Sequence, residues 1–169
     1  MTLAHEGFLE ATGRSYVRRH LNVQEMKDLY EVRLSLERSC CAYAVERATP
    51  AQIAELEAYV AHSRSVPSTA PINELVKLDE GFHDLLARMS GNAELVQMMV
   101  WVNRRIRFMR WISMDEMVRA STQDQHLALV HALKNRDAQR MNELITAHIS
   151  LRQDQIVASV TKGLAHIFL

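Results

Sequence analysis

The chain has 169 residues, 48% of them hydrophobic, with 20 basic and 20 acidic side chains that cancel to zero net charge, and its mean hydropathy is −0.15. That length supports one domain with a sizeable core, and the balanced charge excludes a global pull toward nucleic acid or a membrane surface. Five glycines and three prolines give too little punctuation for an all-β fold, and no apolar run nears the roughly 20 residues of a membrane span.

In chain order, EGFLEATGRSYVRRH comes first, with Gly7 and Gly13 among Phe8, Leu9, Tyr16 and Val17. It reads as a β-hairpin; a hairpin alone is marginal, so it belongs to something larger or is loosely held. No basic-then-apolar leader precedes it. Six helices are then expected. The first runs Val23–Arg47 with Asn22 as its cap. The second begins at Thr49-Pro50-Ala51-Gln52, a capping box with proline at the first helical position, and ends near Ser65, before Pro67 and Pro71. The third covers Ile72–Met89 and stops at Ser90-Gly91, with Gly91 suited to a left-handed C-cap. Asn92 caps the fourth, to Trp111. After Ser113 a short irregular or helical piece is expected, then Thr122 as cap of the fifth, to Asn135. Asp137 caps the sixth, to Gly163. The short connections predict antiparallel neighbours. Cys40 and Cys41 are adjacent on the first helix, about 100° apart. They cannot form a structural disulfide, and a reducing, cytoplasmic setting fits them.

The third helix buries Leu75, Phe82, Leu86 and Met89 on one face. Asp79 and His83 sit one turn apart on the edge of that face. A buried charge needs a partner. The fifth helix carries His126 on a stripe with Val130 and Leu133. The sixth carries His148 on a stripe with Met141, Leu144, Ile145 and Leu151. Three imidazoles and a carboxylate suit a first-row divalent metal. The other reading is a buried Asp–His pair and two unrelated core histidines. His131, about 140° round the helix from His126, and His5, His20, His62 and His166 read as ordinary residues.

Arg33 interrupts the apolar stripe of Met26, Leu29, Tyr30, Leu36 and Cys40. Its fork matches a carboxylate, either that of Glu37 one turn on or that of an anionic ligand. Arg104, Arg105, Arg107 and Arg110 lie among aromatics on the fourth helix and read as surface residues with snorkelling stems. Arg105, on the line Met98, Val102, Arg105, Met109, is the one that could also point inward.

LYEVRLSLE (Leu29–Glu37) resembles the opening helix of the FCD domain, the C-terminal ligand-sensing domain of FadR-subfamily GntR transcription regulators. LDEGFHDLLARMSGN resembles that family's D-x-x-x-H helix and its Gly-Asn turn. HLALVHALKNRDAQRMNELITAHI (His126–Ile149) resembles its closing two helices. The match spans residues 22–155. The resemblance implies an all-α bundle over residues 22–169 with a buried cavity, and metal ligands at Asp79, His83, His126 and His148. The ion is expected to be a divalent transition metal, zinc first, with nickel, manganese or iron as the other candidates. Open positions on an octahedral ion would anchor a small carboxylate effector, met by Arg33 and, as the next candidate, Arg105. A homodimer is implied. LAHEGFLEATGRSYVRR resembles the end of the recognition helix and the wing of the family's winged helix-turn-helix. Residues 1–21 are therefore expected to be wing and linker, with DNA reached only through the missing part of that domain. The reading is a sensor and not an enzyme. The alternative is a mononuclear metal-dependent hydrolase, which needs a general base near the metal-bound water; no surplus acid shows on the ligand stripes. A di-iron centre needs two Glu-x-x-His motifs, and only Glu80-x-x-His83 is present.

Overall fold

Asn22 starts the helical part of the chain. Its side-chain oxygen accepts from the backbone N–H groups of Gln24 at 2.9 Å and Glu25 at 3.3 Å, two donors that a first turn leaves free. The helix it caps, α1, runs Val23–Arg47. The computed structural model describes residues 9–12, 15–18, 22–114 and 116–167. Five more helices follow α1: α2 Pro50–Ser65, α3 Ile72–Met89, α4 Ala93–Ser113, α5 Glu116–Lys134 and α6 Ala138–Ile167. Ahead of them β1 (Leu9–Thr12) and β2 (Ser15–Arg18) pair antiparallel, with Leu9 opposite Arg18 and Thr12 opposite Ser15. The fold is the expected all-α bundle, with the expected hairpin before it.

Local chemistry sets most boundaries. Thr49 and Gln52 close the capping box reciprocally, with Pro50 at the first position of α2. Gly91 takes φ +64° to end α3, a conformation without penalty only for glycine. Asn92 accepts from Glu94 and Leu95 N–H to begin α4. Arg47, the last residue of α1, donates to the Ser90 carbonyl at 2.8 Å and so caps α3 as well. Arg136 sits at φ +54° between α5 and α6, a position where glycine would be cheaper. Its guanidinium donates to the Ala44, Val45 and Ala48 carbonyls at the end of α1. A glycine would lose that cap.

One boundary differs from expectation. α5 begins at Glu116, so Thr122 is not its cap but an interior residue, 2% exposed. Val118, one turn earlier, packs with Leu75, Val76 and Met114. Burying that apolar contact extends the helix past a residue whose local preference is to cap. Leu151 also departs from its expected stripe, being exposed on α6.

α1 packs chiefly against α6, and also against α3 and α4; α5 lies on α6, and α2 on α5 and α3. Although joined by only two residues, α1 and α2 make little contact. The main core runs from Met26 and Tyr30 through Leu56, Phe82 and Leu86 to Leu133 and Ile145. Cys40 and Cys41 are free and buried, and burial pushes the Cys40 thiol up to about 12. Among the described residues no helix is long and apolar enough to cross a membrane.

Candidate metal centre

Where α3, α5 and α6 meet, Asp79, His83, His126 and His148 converge, none more than 1% exposed. Each offers one ligand atom, and these atoms all lie within 4.8 Å of one another. His83 Nε2 faces His148 Nε2 at 3.3 Å, and His126 Nε2 lies 3.7 Å from Asp79 Oδ1. The helical repeat brings them together: Asp79 and His83 share a face one turn apart. Phe82 stacks on the His126 ring, centroids 3.8 Å apart and planes 11° from parallel, which fixes that ring's orientation.

The outer ring nitrogens also have neighbours. His83 Nδ1 lies 2.8 Å from Glu37 Oε1, though not aligned for a full hydrogen bond. His148 Nδ1 meets the side-chain oxygen of Gln125. Partners of this kind set tautomer and ring orientation in metal sites.

The donor set fits a cation. Both Asp79 oxygens and His126 Nε2 are buried without a hydrogen-bond partner, a costly condition that a bound ion would relieve. Protonation states agree. Burial depresses the His126 pKa to about 3, with His83 and Arg152 adding to the effect. Burial likewise holds His83 and His148 well below the usual imidazole value, Arg33 contributing at His83 and the neighbouring histidines at His148. All three rings are therefore neutral and able to coordinate. Burial alone would raise the Asp79 pKa, but Arg110, His83 and Arg152 outweigh it and hold the carboxyl well below its normal range.

Around the four donors stand more cations than expected. Arg33 is wholly buried. Its Nε and Nη2 donate to Glu37 Oε1 at 3.2 and 3.1 Å, while Nη1 has no partner. Arg33 thus takes the internal acid and keeps a free donor. Arg105 is not brought to the cluster. It pairs with Glu25, stacks over Trp101 at 4.9 Å and is one-third exposed. The inward arginine of α4 is Arg110, with Nε 3.6 Å from Asp79 Oδ2 and Nη1 3.5 Å from Glu80 Oε1. The buried line is Met99, Asn103, Ile106, Arg110, one position from the line that favoured Arg105. Apolar residues surround the start of α4, so periodicity chose between two registers without a clear signal. Arg152 was missed outright. It is 1% exposed on α6, and its place one turn after His148 was the available cue. Tyr30 Oη, Arg110 Nε and Nη1, and Arg152 Nε and Nη2 are all buried without hydrogen-bond partners.

The sequence profile of the FCD domain matches residues 28–151. The chain belongs to the FCD domain family. The Nta operon transcriptional regulator of Aminobacter aminovorans is 34% identical over 98% of this chain and 78% of its own length. The uncharacterized HTH-type transcriptional regulator YdhC of Bacillus subtilis is 22% identical over 88% of this chain and 67% of its own length. Among solved structures, E. coli McbR/YncC superposes with a TM-score of 0.78 at 17% identity, covering 95% of this chain and 81% of its own. Streptococcus agalactiae GntR gives 0.66 at 22% identity, covering 90% and 77%. Those two likenesses speak to the fold. This FCD chain is the effector-binding domain of a GntR-type transcription regulator and not an enzyme.

Proposed function

We propose that this FCD domain binds a divalent transition metal through Asp79, His83, His126 and His148, and senses a small carboxylate beside it. The observation that carries the reading is the convergence of four buried donor atoms from three helices within 4.8 Å. The ion, zinc first with nickel, manganese or iron as alternatives, would supply a Lewis-acidic anchor for one carboxylate oxygen. Arg33, Arg110 and Arg152, with Tyr30, hold the donors for the others.

Charge supports the anionic class. Arg33, Arg110 and Arg152 are matched by Glu37, Asp79 and Glu80, all six at most 6% exposed. A divalent cation added to that balance leaves a buried positive excess, which an anionic ligand offsets.

As part of a regulator, the domain would pass effector occupancy to a winged helix-turn-helix, of which residues 1–21 would be wing and linker. It would do so in the cytoplasm and as a homodimer of the FadR subfamily. Exposed Met98, Trp101 and Trp111 on α4 give apolar surface to a partner protomer. Control of an operon is what the name of the A. aminovorans relative describes for that protein. The deciding experiment for the sensor is a thermal-shift screen of small organic acids on metal-loaded protein. Stabilisation by a carboxylate that vanishes when the metal is chelated is the expected result, and no response from any acid would refute it.

A further inference from the structure

Away from the four donors, a cleft of about 580 Å³ opens between the end of α2, the linker that follows it and the first half of α5. Arg119 and Gln123 line it, together with Arg64, Pro67, Ala120 and one acid, Asp124. Both Arg119 and Gln123 are buried, 4% and 6% exposed. Arg119 donates through Nη2 to the carbonyl and hydroxyl oxygens of Ser63, which are neutral, and its Nη1 has no partner. Among the residues whose side chains are described, the bonds of Arg119 go only to these Ser63 oxygens. Gln123 has partners for neither its amide nitrogen nor its amide oxygen. Arg64, at the rim, is tied to Asp124 at 2.8 Å.

A buried cation whose direct contacts are neutral is expensive, and so is a buried carboxamide with nothing bonded to it. Both costs fall on residues facing one open cleft. An oxyanion seated there would take a charge-assisted bond from Arg119 and a donor from Gln123. Gln123 Oε1 would accept from a hydroxyl or amine on the same molecule.

We propose that this cleft is a second binding site, for a small oxyanion, either a carboxylate or a phosphoryl group, held by Arg119 and Gln123. It needs none of the metal-centre residues as ligands, so it stands or falls apart from the metal. Gln123 lies one turn before His126 on α5, so a molecule in the cleft contacts the helix that carries one donor of the metal centre.

The test is calorimetric titration of the metal-loaded chain with inorganic phosphate and, separately, with succinate, on wild type and on three variants. Ala120→Glu places a carboxylate at the exposed lip of the cleft and leaves the core alone. Gln123→Leu removes the amide at similar volume. Arg119→Gln removes the charge. Each should weaken binding of at least one of the two anions by about tenfold or more, with metal content per chain unchanged. The anion bound more tightly names the source, phosphoryl or carboxylate. Equal affinity in wild type and Ala120→Glu, or binding of neither anion to the wild type, overturns the proposal.

Discussion

Glu37 on α1 and His83 on α3 meet across the bundle, Oε1 to Nδ1 at 2.8 Å. The same carboxylate oxygen accepts from Arg33 at 3.1 Å, so one acid holds a proposed anion receptor and stands against a proposed metal ligand. Loss of an outer partner of this kind lowers metal affinity by about 10–100-fold. Glu37→Gln should therefore weaken metal binding in that range, read by competition with a chelator of known affinity. Wild-type affinity in a folded Glu37→Gln variant would remove Glu37 from the metal's support.

The histidines set a pH dependence. Burial takes the His126 pKa to about 3 in the folded chain, against about 6.5 unfolded. Between those values the unfolded chain binds a proton that the folded chain does not. Stability is complete above about pH 6.5 and falls as pH drops, by about 1.4 kcal/mol per pH unit for each such group. His83 and His148 shift in the same direction. Metal affinity should fall in step, because coordination needs the neutral ring. Urea unfolding of metal-free protein from pH 7.5 to 5 reads the first effect. A flat profile would contradict the burial of neutral imidazoles.

Arg33 has two duties that can be separated. Arg33→Ala should leave metal content near that of the wild type but remove most of the thermal stabilisation given by whichever carboxylate the screen finds. That stabilisation is about 2.7 kcal/mol at a hundredfold excess over the dissociation constant. Arg33→Lys should rescue poorly, because an ammonium cannot reproduce the fork that holds Glu37. If Arg33→Ala unfolds the metal-free protein and leaves carboxylate affinity unchanged, Arg33 is only the counter-charge of Glu37, and Arg110 and Arg152 become the receptors.

The helices and the four donors were legible because short-range rules governed them. Asn22, Thr49-Pro50, Gly91 and Asn92 mark their ends through hydrogen bonds within a few residues. Asp79 and His83 broke an otherwise apolar face, and His126 and His148 lay on apolar stripes. The arginines were harder. Arg105 and Arg110 sit on a helix with apolar residues on several sides, and which of them turns inward is decided by α1 and α3 packing against α4. Thr122 reads locally as a cap, but burial of Val118 overrides it. The α2–α5 cleft has no local signature, since Ser63 and Arg119 are 56 positions apart.

Gly81 makes a packing claim. A Cβ there would lie 2.0 Å from Tyr59 Oη, whose hydroxyl donates to the Leu78 carbonyl at 3.1 Å. Gly81→Ala should push Tyr59 out, break that bond and cost about 1–3 kcal/mol, measured as a shift in urea midpoint. Removing the obstruction with Tyr59→Ala in the same chain should make Gly81→Ala far less damaging than it is alone. Additive losses would show that Gly81 is not there to admit Tyr59.

Metal stoichiometry tests the central claim most directly. Elemental analysis of the chain, purified without chelator at neutral pH and then incubated with zinc, nickel, manganese or ferrous ion and desalted, should find about one divalent ion per chain. His83→Ala, His126→Ala and His148→Ala should each lose most of it while keeping wild-type helicity by circular dichroism. A stoichiometry near zero with every ion, or retention of metal in all three variants, would contradict a metal centre at Asp79, His83, His126 and His148.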